Sequence, residues 1–90
     1  MEKVIITVLG KDAVGIISKV CTYLADNQVN ILDITQTIVQ EYFNMMMIVN
    51  MENTDTPFEQ ICNELENLGE VIGVKIKCQR EEIFTRMHRI

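Results

Sequence analysis

Residues 3–37, "KVIITVLGKDAVGIISKVCTYLADNQVNILDITQT", contain one complete strand–helix–strand unit, and their reading decides the fold. In "KVIITVL" (3–9), Val4, Ile6 and Val8 alternate with Lys3, Ile5 and Thr7. Apolar residues on both faces predict a central strand. "GKDAVG" (10–15) then leads into a segment where Ile16, Ile17, Val20, Cys21 and Leu24 fall on one helical stripe. Ser18, Lys19, Thr22 and Asp26 lie opposite, as in a helix packed on one side. Asp26-Asn27-Gln28 ends that helix, with Asn27 expected in the left-handed conformation. In "VNILDITQTIVQ" (29–40), Leu32, Ile34 and Ile38 share one face and Asp33, Thr35 and Thr37 the other. That pattern predicts an edge strand with one side wet or facing a partner.

The rest of the chain repeats the plan. Phe43–Met51 is apolar on both faces and reads as the third strand. A turn around Glu41 and Tyr42 joins it to the second, too tightly for a parallel crossover, so the two form a hairpin. Met45-Met46-Met47 reads as interior strand packing, with an adaptable contact surface as the alternative. Thr56, Pro57 and Glu59 announce a helix as cap, first helical residue and capping-box partner. Phe58, Ile61, Cys62, Leu65 and Leu68 form its buried stripe, and Gly69 is expected to close it. "VIGVKIKCQ" (71–79) supplies the fourth strand, with Ile72, Val74, Ile76 and Cys78 on one side and Lys75 and Lys77 on the other. In "EEIFTRMHRI" (81–90), Ile83, Phe84, Met87 and Ile90 recur at helical spacing, with acids first and bases last.

Two β-α-β units interleaved in one sheet make an α+β, ferredoxin-like βαββαβ sandwich: a four-stranded antiparallel sheet with two helices on one face. The expected division is a domain over residues 1–80 and a short C-terminal amphipathic helix over 81–90. The face opposite the helices carries Ile5, Leu9 and methionines, and the tail or a second subunit is expected to cover it.

Composition narrows the function. Ninety residues, 48% of them apolar, make one domain with a real core. A net charge of −5 argues against a nucleic-acid surface, which needs positive charge. No apolar run approaches the roughly 18 residues of a membrane span, and "MEKVII" lacks a signal-peptide pattern. The expectation is a cytoplasmic protein without membrane contact. Cys21, Cys62 and Cys78 are odd in number, widely spaced and without a CxxC pair, so they read as reduced, mostly buried thiols. With His88 the sole histidine, neither a metal site nor a cofactor is expected. Nucleophile and base do not pair at any recognisable spacing, so the chain does not read as an enzyme.

The loop 10–15 is the segment that carries chemistry. The matching connection in the second half, "ENTDTPFE" (52–59), has no glycine. Asp12 is placed to cap the following helix by accepting a backbone N–H. Gly15 then falls in the first turn, where a missing Cβ lets another group approach the backbone. Free N–H groups and the helix dipole favour an anion such as a carboxylate. The charge of Asp12 favours a small zwitterion over a phosphate-rich ligand. Neither GxxxxGK[ST] nor GxGxxG is present, and a plain cap with a tight turn is the alternative reading.

Taken together, Gly10, Asp12 and Gly15 before the helix, and Asn30, Ile31 and Asp33 after it, resemble the ACT domain family over roughly residues 2–80. The order of elements and the tail resemble small stand-alone ACT proteins related to the glycine-cleavage regulator type. Val14 stands where many members have proline, which leaves the turn less rigid before binding. The resemblance implies a regulatory module that binds an amino acid and pairs as a homodimer, with the ligand between subunits. It implies ligand contacts from Asp12, Ala13, Val14 and Gly15 of the loop and from Asn30 and Ile31 of the second strand. The N–H groups near Val14 and Gly15 would receive the ligand carboxylate, Asn30 would meet its polar atoms, and Ile31 would line the side-chain pocket. The alternative is a ligand-free module that engages another protein.

Overall fold

A computed structural model describes residues 2–11 and 15–82. Their elements run β1 (Lys3–Gly10), α1 (Ile16–Asp26), β2 (Asn30–Val39), β3 (Tyr42–Asn50), α2 (Phe58–Ile72) and β4 (Lys75–Arg80). The strands form one antiparallel sheet in the order β2-β3-β1-β4. Each β-α-β unit thus skips one sheet position, and the partner unit fills the gap; this is the ferredoxin-like arrangement the sequence predicts. Asp12, Ala13 and Val14 of the loop, and residues 83–90 of the tail, lie outside the described residues.

Alternation along the strands sets the layers. Val4, Ile6 and Val8 of β1 and Phe43, Met45, Met47 and Val49 of β3 face the helices. Ile16, Val20 and Leu24 of α1 and Ile61 and Leu65 of α2 close over them in one continuous core. The methionine run is therefore strand packing: Met45 and Met47 are fully buried, and Met46 is half-buried on the opposite face. Leu9 on that opposite face is 52% exposed.

Several details depart from expectation. Asn27 is not left-handed, at φ −99°; Gln28 takes that role at φ 60°. The Gln28 N–H reaches the Ala25 carbonyl at 3.0 Å and the Val29 N–H reaches that of Leu24 at 2.9 Å. This is a Schellman closure, and Asn27 serves it by donating its side-chain amide to the Tyr23 carbonyl at 2.9 Å. Gly69 does not end α2, which continues to Ile72 and stops at left-handed Gly73, φ 82°. Gly69 is instead the point of close approach to β4: a Cβ there would lie 2.7 Å from the Val74 carbonyl oxygen. β4 consequently begins at Lys75, and residues 71–72 belong to the helix.

The capping box at Thr56 and Glu59 does not form. Pro57 occupies the cap position without a side-chain cap, and the Thr56 hydroxyl donates to the Asn27 side-chain oxygen at 3.3 Å. Thr56 thus ties the start of α2 to the end of α1. Tyr42 is strand rather than turn, opposite Val39, because left-handed Gln40 (φ 56°) tightens the hairpin. Finally, a bulge between Ile31 and Asp33 resets the faces of β2. Ile31, Ile34 and Ile38 pair with Val49, Met47 and Phe43 and so share the helix-side face, while Leu32 drops out of the alternation.

Candidate ligand site

β1 ends at Gly10, opposite Phe43, and Phe43 is opposite Ile38 of β2. The loop and the start of α1 therefore lie at the end of the sheet where β2 finishes. Gly15 caps α1 at φ 77°, and its carbonyl accepts the Lys19 N–H at 3.1 Å. It stands before the helix, not within its first turn. The left-handed backbone explains the glycine, and the space where a side chain would stand is open to 4 Å. The first turn of α1 carries no acidic residue, so its own side chains leave the positive end of the dipole unopposed.

Lys11 borders this corner. Its ammonium lies 5.6 Å from the centre of the Tyr42 ring and 3.8 Å from the Glu41 carboxylate. Sequence reasoning missed Lys11, Glu41 and Tyr42 as neighbours of the loop. The signal was available in the tight hairpin, whose register returns residues 41–43 to the end of β1.

Asn30 and Ile31 are at the other end. They pair with Asn50 and Val49, beside the start of β1 at Lys3. From Asn30 to Ile38 is eight residues, or about 27 Å at the antiparallel strand rise. Within one chain, Gly15 is thus not gathered with Asn30 and Ile31. Asn30 is exposed and Ile31 half-buried.

The two sheet edges differ in chemistry. β4 (KIKCQR) carries Lys75, Lys77 and Arg80, the charged pattern that discourages strand addition. β2 (NILDITQTIV) has Asp33 as its one charged residue and no proline. Its helix-side Ile38 is 66% exposed, beyond the cover of the helices, and Val39 on the opposite face is 64% exposed. Among the described residues, no group of three or more His, Cys, Asp or Glu side chains is placed to hold a metal ion. Nor is any described helix long and apolar enough to cross a membrane.

The four-stranded ferredoxin-like sheet, its glycine-bounded first loop and its sparsely charged second-strand edge define the architectural class of this chain. Residues 2–79 match the family model described as "ACT domain", and this chain belongs to that family. It is 62% identical over the full length of both chains to a UPF0237 protein of Bifidobacterium longum. A UPF0237 protein of Methanococcus maripaludis is 48% identical over the same span. Among solved structures, an ACT domain protein from Streptococcus pneumoniae superposes with TM-score 0.81 at 42% identity, covering 92% of this chain and 93% of that one. A putative glycine cleavage system transcriptional repressor shares the fold, with TM-score 0.73 at 21% identity over 88% of this chain and 45% of its own. The ACT domain is a regulatory ligand-binding module.

Proposed function

We propose that this ACT domain senses an amino acid at a site built by two copies of the chain, and that occupancy governs how the copies pair. The observation that carries the reading is the separation of Gly15 from Asn30 and Ile31 to opposite ends of an unprotected edge strand. Antiparallel pairing of two β2 edges lays the start of the partner's β2 beside Ile38 and Val39, where α1 begins. One two-fold axis then completes two equivalent sites. In each, the N–H groups around Val14 and Gly15 take the ligand carboxylate at the helix dipole, and the negative charge of Asp12 favours a ligand that also carries an ammonium group. The partner's Asn30 meets the remaining polar atoms, and the partner's Ile31 lines the side-chain pocket.

A molecule bound across two chains stabilises the paired state by mass action. The test is a thermal-shift screen of the twenty amino acids combined with sedimentation. A rise in melting temperature with one or two of them, together with a shift toward the dimer, supports sensing. Both effects should vanish in Asn30→Ala. The exposed edge residues Ile38 and Val39 also favour a second reading, a ligand-free interaction module. That reading predicts no shift at millimolar amino acid and pairing that Asn30→Ala leaves intact.

A further inference from the structure

The joint between α2 and β4 lies across the sheet from the β2 edge and carries chemistry that sensing does not use. Gly69 brings the helix against the strand, where an added Cβ would stand 3.1 Å from Ile76. Two residues further along β4, Cys78 packs against the core on the helix-facing side. Two turns back along α2, Cys62 projects toward the same place. Both thiols line one groove of about 360 Å³ between helix and strand, near enough that each shifts the other's titration. Both are free and only partly buried, against the expectation of mostly buried thiols, and so is Cys21 on α1.

We propose that Cys62 and Cys78 are a dithiol oxidation site, which closes to an intramolecular disulfide when a hydroperoxide enters this groove. The two sulfurs have different roles. Cys62 is the attacking sulfur. Burial and the carboxylates of Glu59 and Glu66 hold it protonated, while the Cys78 thiol and the Arg80 guanidinium oppose them. Cys78 is the deeper and resolving sulfur; burial and the neighbouring Cys62 push its thiol up. Cys62 gives up its proton and attacks a peroxide oxygen as the thiolate; the O–O bond breaks, and the leaving oxygen takes the electron pair and a proton, replacing the one Cys62 gave up, as water or alcohol. Cys62 is then a sulfenic acid. The Cys78 sulfur attacks it, the S–S bond forms, and the hydroxyl leaves as water with the Cys78 proton. Two thiols lose two electrons and two protons, and one hydroperoxide is reduced.

The experiment exposes the full chain to a modest excess of hydrogen peroxide at mildly alkaline pH, then counts thiols in denaturant and maps peptides without reductant. The expected result is a fall from three thiols to one, a crosslink joining the peptides of Cys62 and Cys78, Cys21 left free, and full reversal by a dithiol. Cys21→Ser should lose both remaining thiols, and Cys62→Ser should lose neither. Crosslinks between chains overturn the proposal. So does over-oxidised Cys62 beside an intact Cys78 thiol, or three surviving thiols. The peptide map of the unmodified sequence decides even if a serine variant fails to fold.

Discussion

Gly15→Ala is expected to destabilise the fold by about 1–2 kcal/mol while leaving the packed contacts unchanged. Gly15 sits at φ 77°, where the Cβ of an L-residue crowds its own backbone at a cost of about 1–2 kcal/mol. A methyl group at that position meets nothing within 4 Å, so the cost is conformational and not steric. In a chain of this size each kcal/mol moves the melting temperature by about 4–8 °C. Urea unfolding should therefore show a lower midpoint at an unchanged slope. Gly15→Asn should recover part of the loss, because asparagine enters the left-handed region more readily than alanine. An asparagine variant no more stable than the alanine variant would refute this reasoning. A loss far beyond 3 kcal/mol, on the order expected for a packing defect, would do the same.

Gly69→Ala acts by the opposite mechanism. The new methyl group meets the Val74 carbonyl at 2.7 Å, and overpacking of about 1–3 kcal/mol should outweigh the gain of about 1 kcal/mol in helix propensity. A thermal melt at or above that of the parent would contradict the close approach of α2 to β4. Thr56→Ala should cost about 0.5–1.5 kcal/mol through its bond to Asn27, and the double variant with Asn27→Ala should be markedly non-additive. Additive losses would restore the role of Thr56 as a cap. The Tyr23 hydroxyl donates to the Glu64 carboxylate, which lowers the Glu64 pKa; burial and that same bond raise the Tyr23 pKa. Stability from Glu64 is thus present above the ordinary carboxylate range and lost as pH falls through its depressed folded value. Stability from Tyr23 is present below the ordinary tyrosine range and lost as pH rises above it. Chemical denaturation across pH should show both flanks weakened in Tyr23→Phe, and an unchanged profile would rule out the coupling.

Among the described residues, local pattern was enough to read the six elements, their order and, in all but β2, the buried face, because alternation and helical spacing report burial directly. Where it failed, the deciding partner was remote in sequence. Two glycines four apart, Gly69 and Gly73, both suit a helix end; only the approach of Ile76 and the Val74 carbonyl assigns the first to packing and the second to the cap. Thr56 has the spacing of a cap, and Asn27, on the other helix, takes its hydroxyl. The bulge at Leu32 was invisible because every residue from Ile31 to Ile34 suits a strand on either face except Asp33. The candidate site shows the same limit. Gly15 and Asn30 are close in sequence, but the 11 residues of α1 carry the chain about 16 Å back along the sheet. Proximity in sequence therefore became distance in space, and the register of β2 on β3 was needed to see it.

The most direct test of the shared site is complementation between two defective chains. Gly15→Ala and Asn30→Ala proteins are each prepared alone, then mixed in equal amounts under conditions that let subunits exchange, and titrated with the amino acid that shifts the parent. Half of the dimers formed at random are mixed, and each carries one site with an intact loop facing an intact partner strand. The mixture should regain about a quarter of the parent's binding sites although neither variant binds alone. A mixture as silent as its components would place the loop and Asn30 in one chain's site, or in none, and contradict the account.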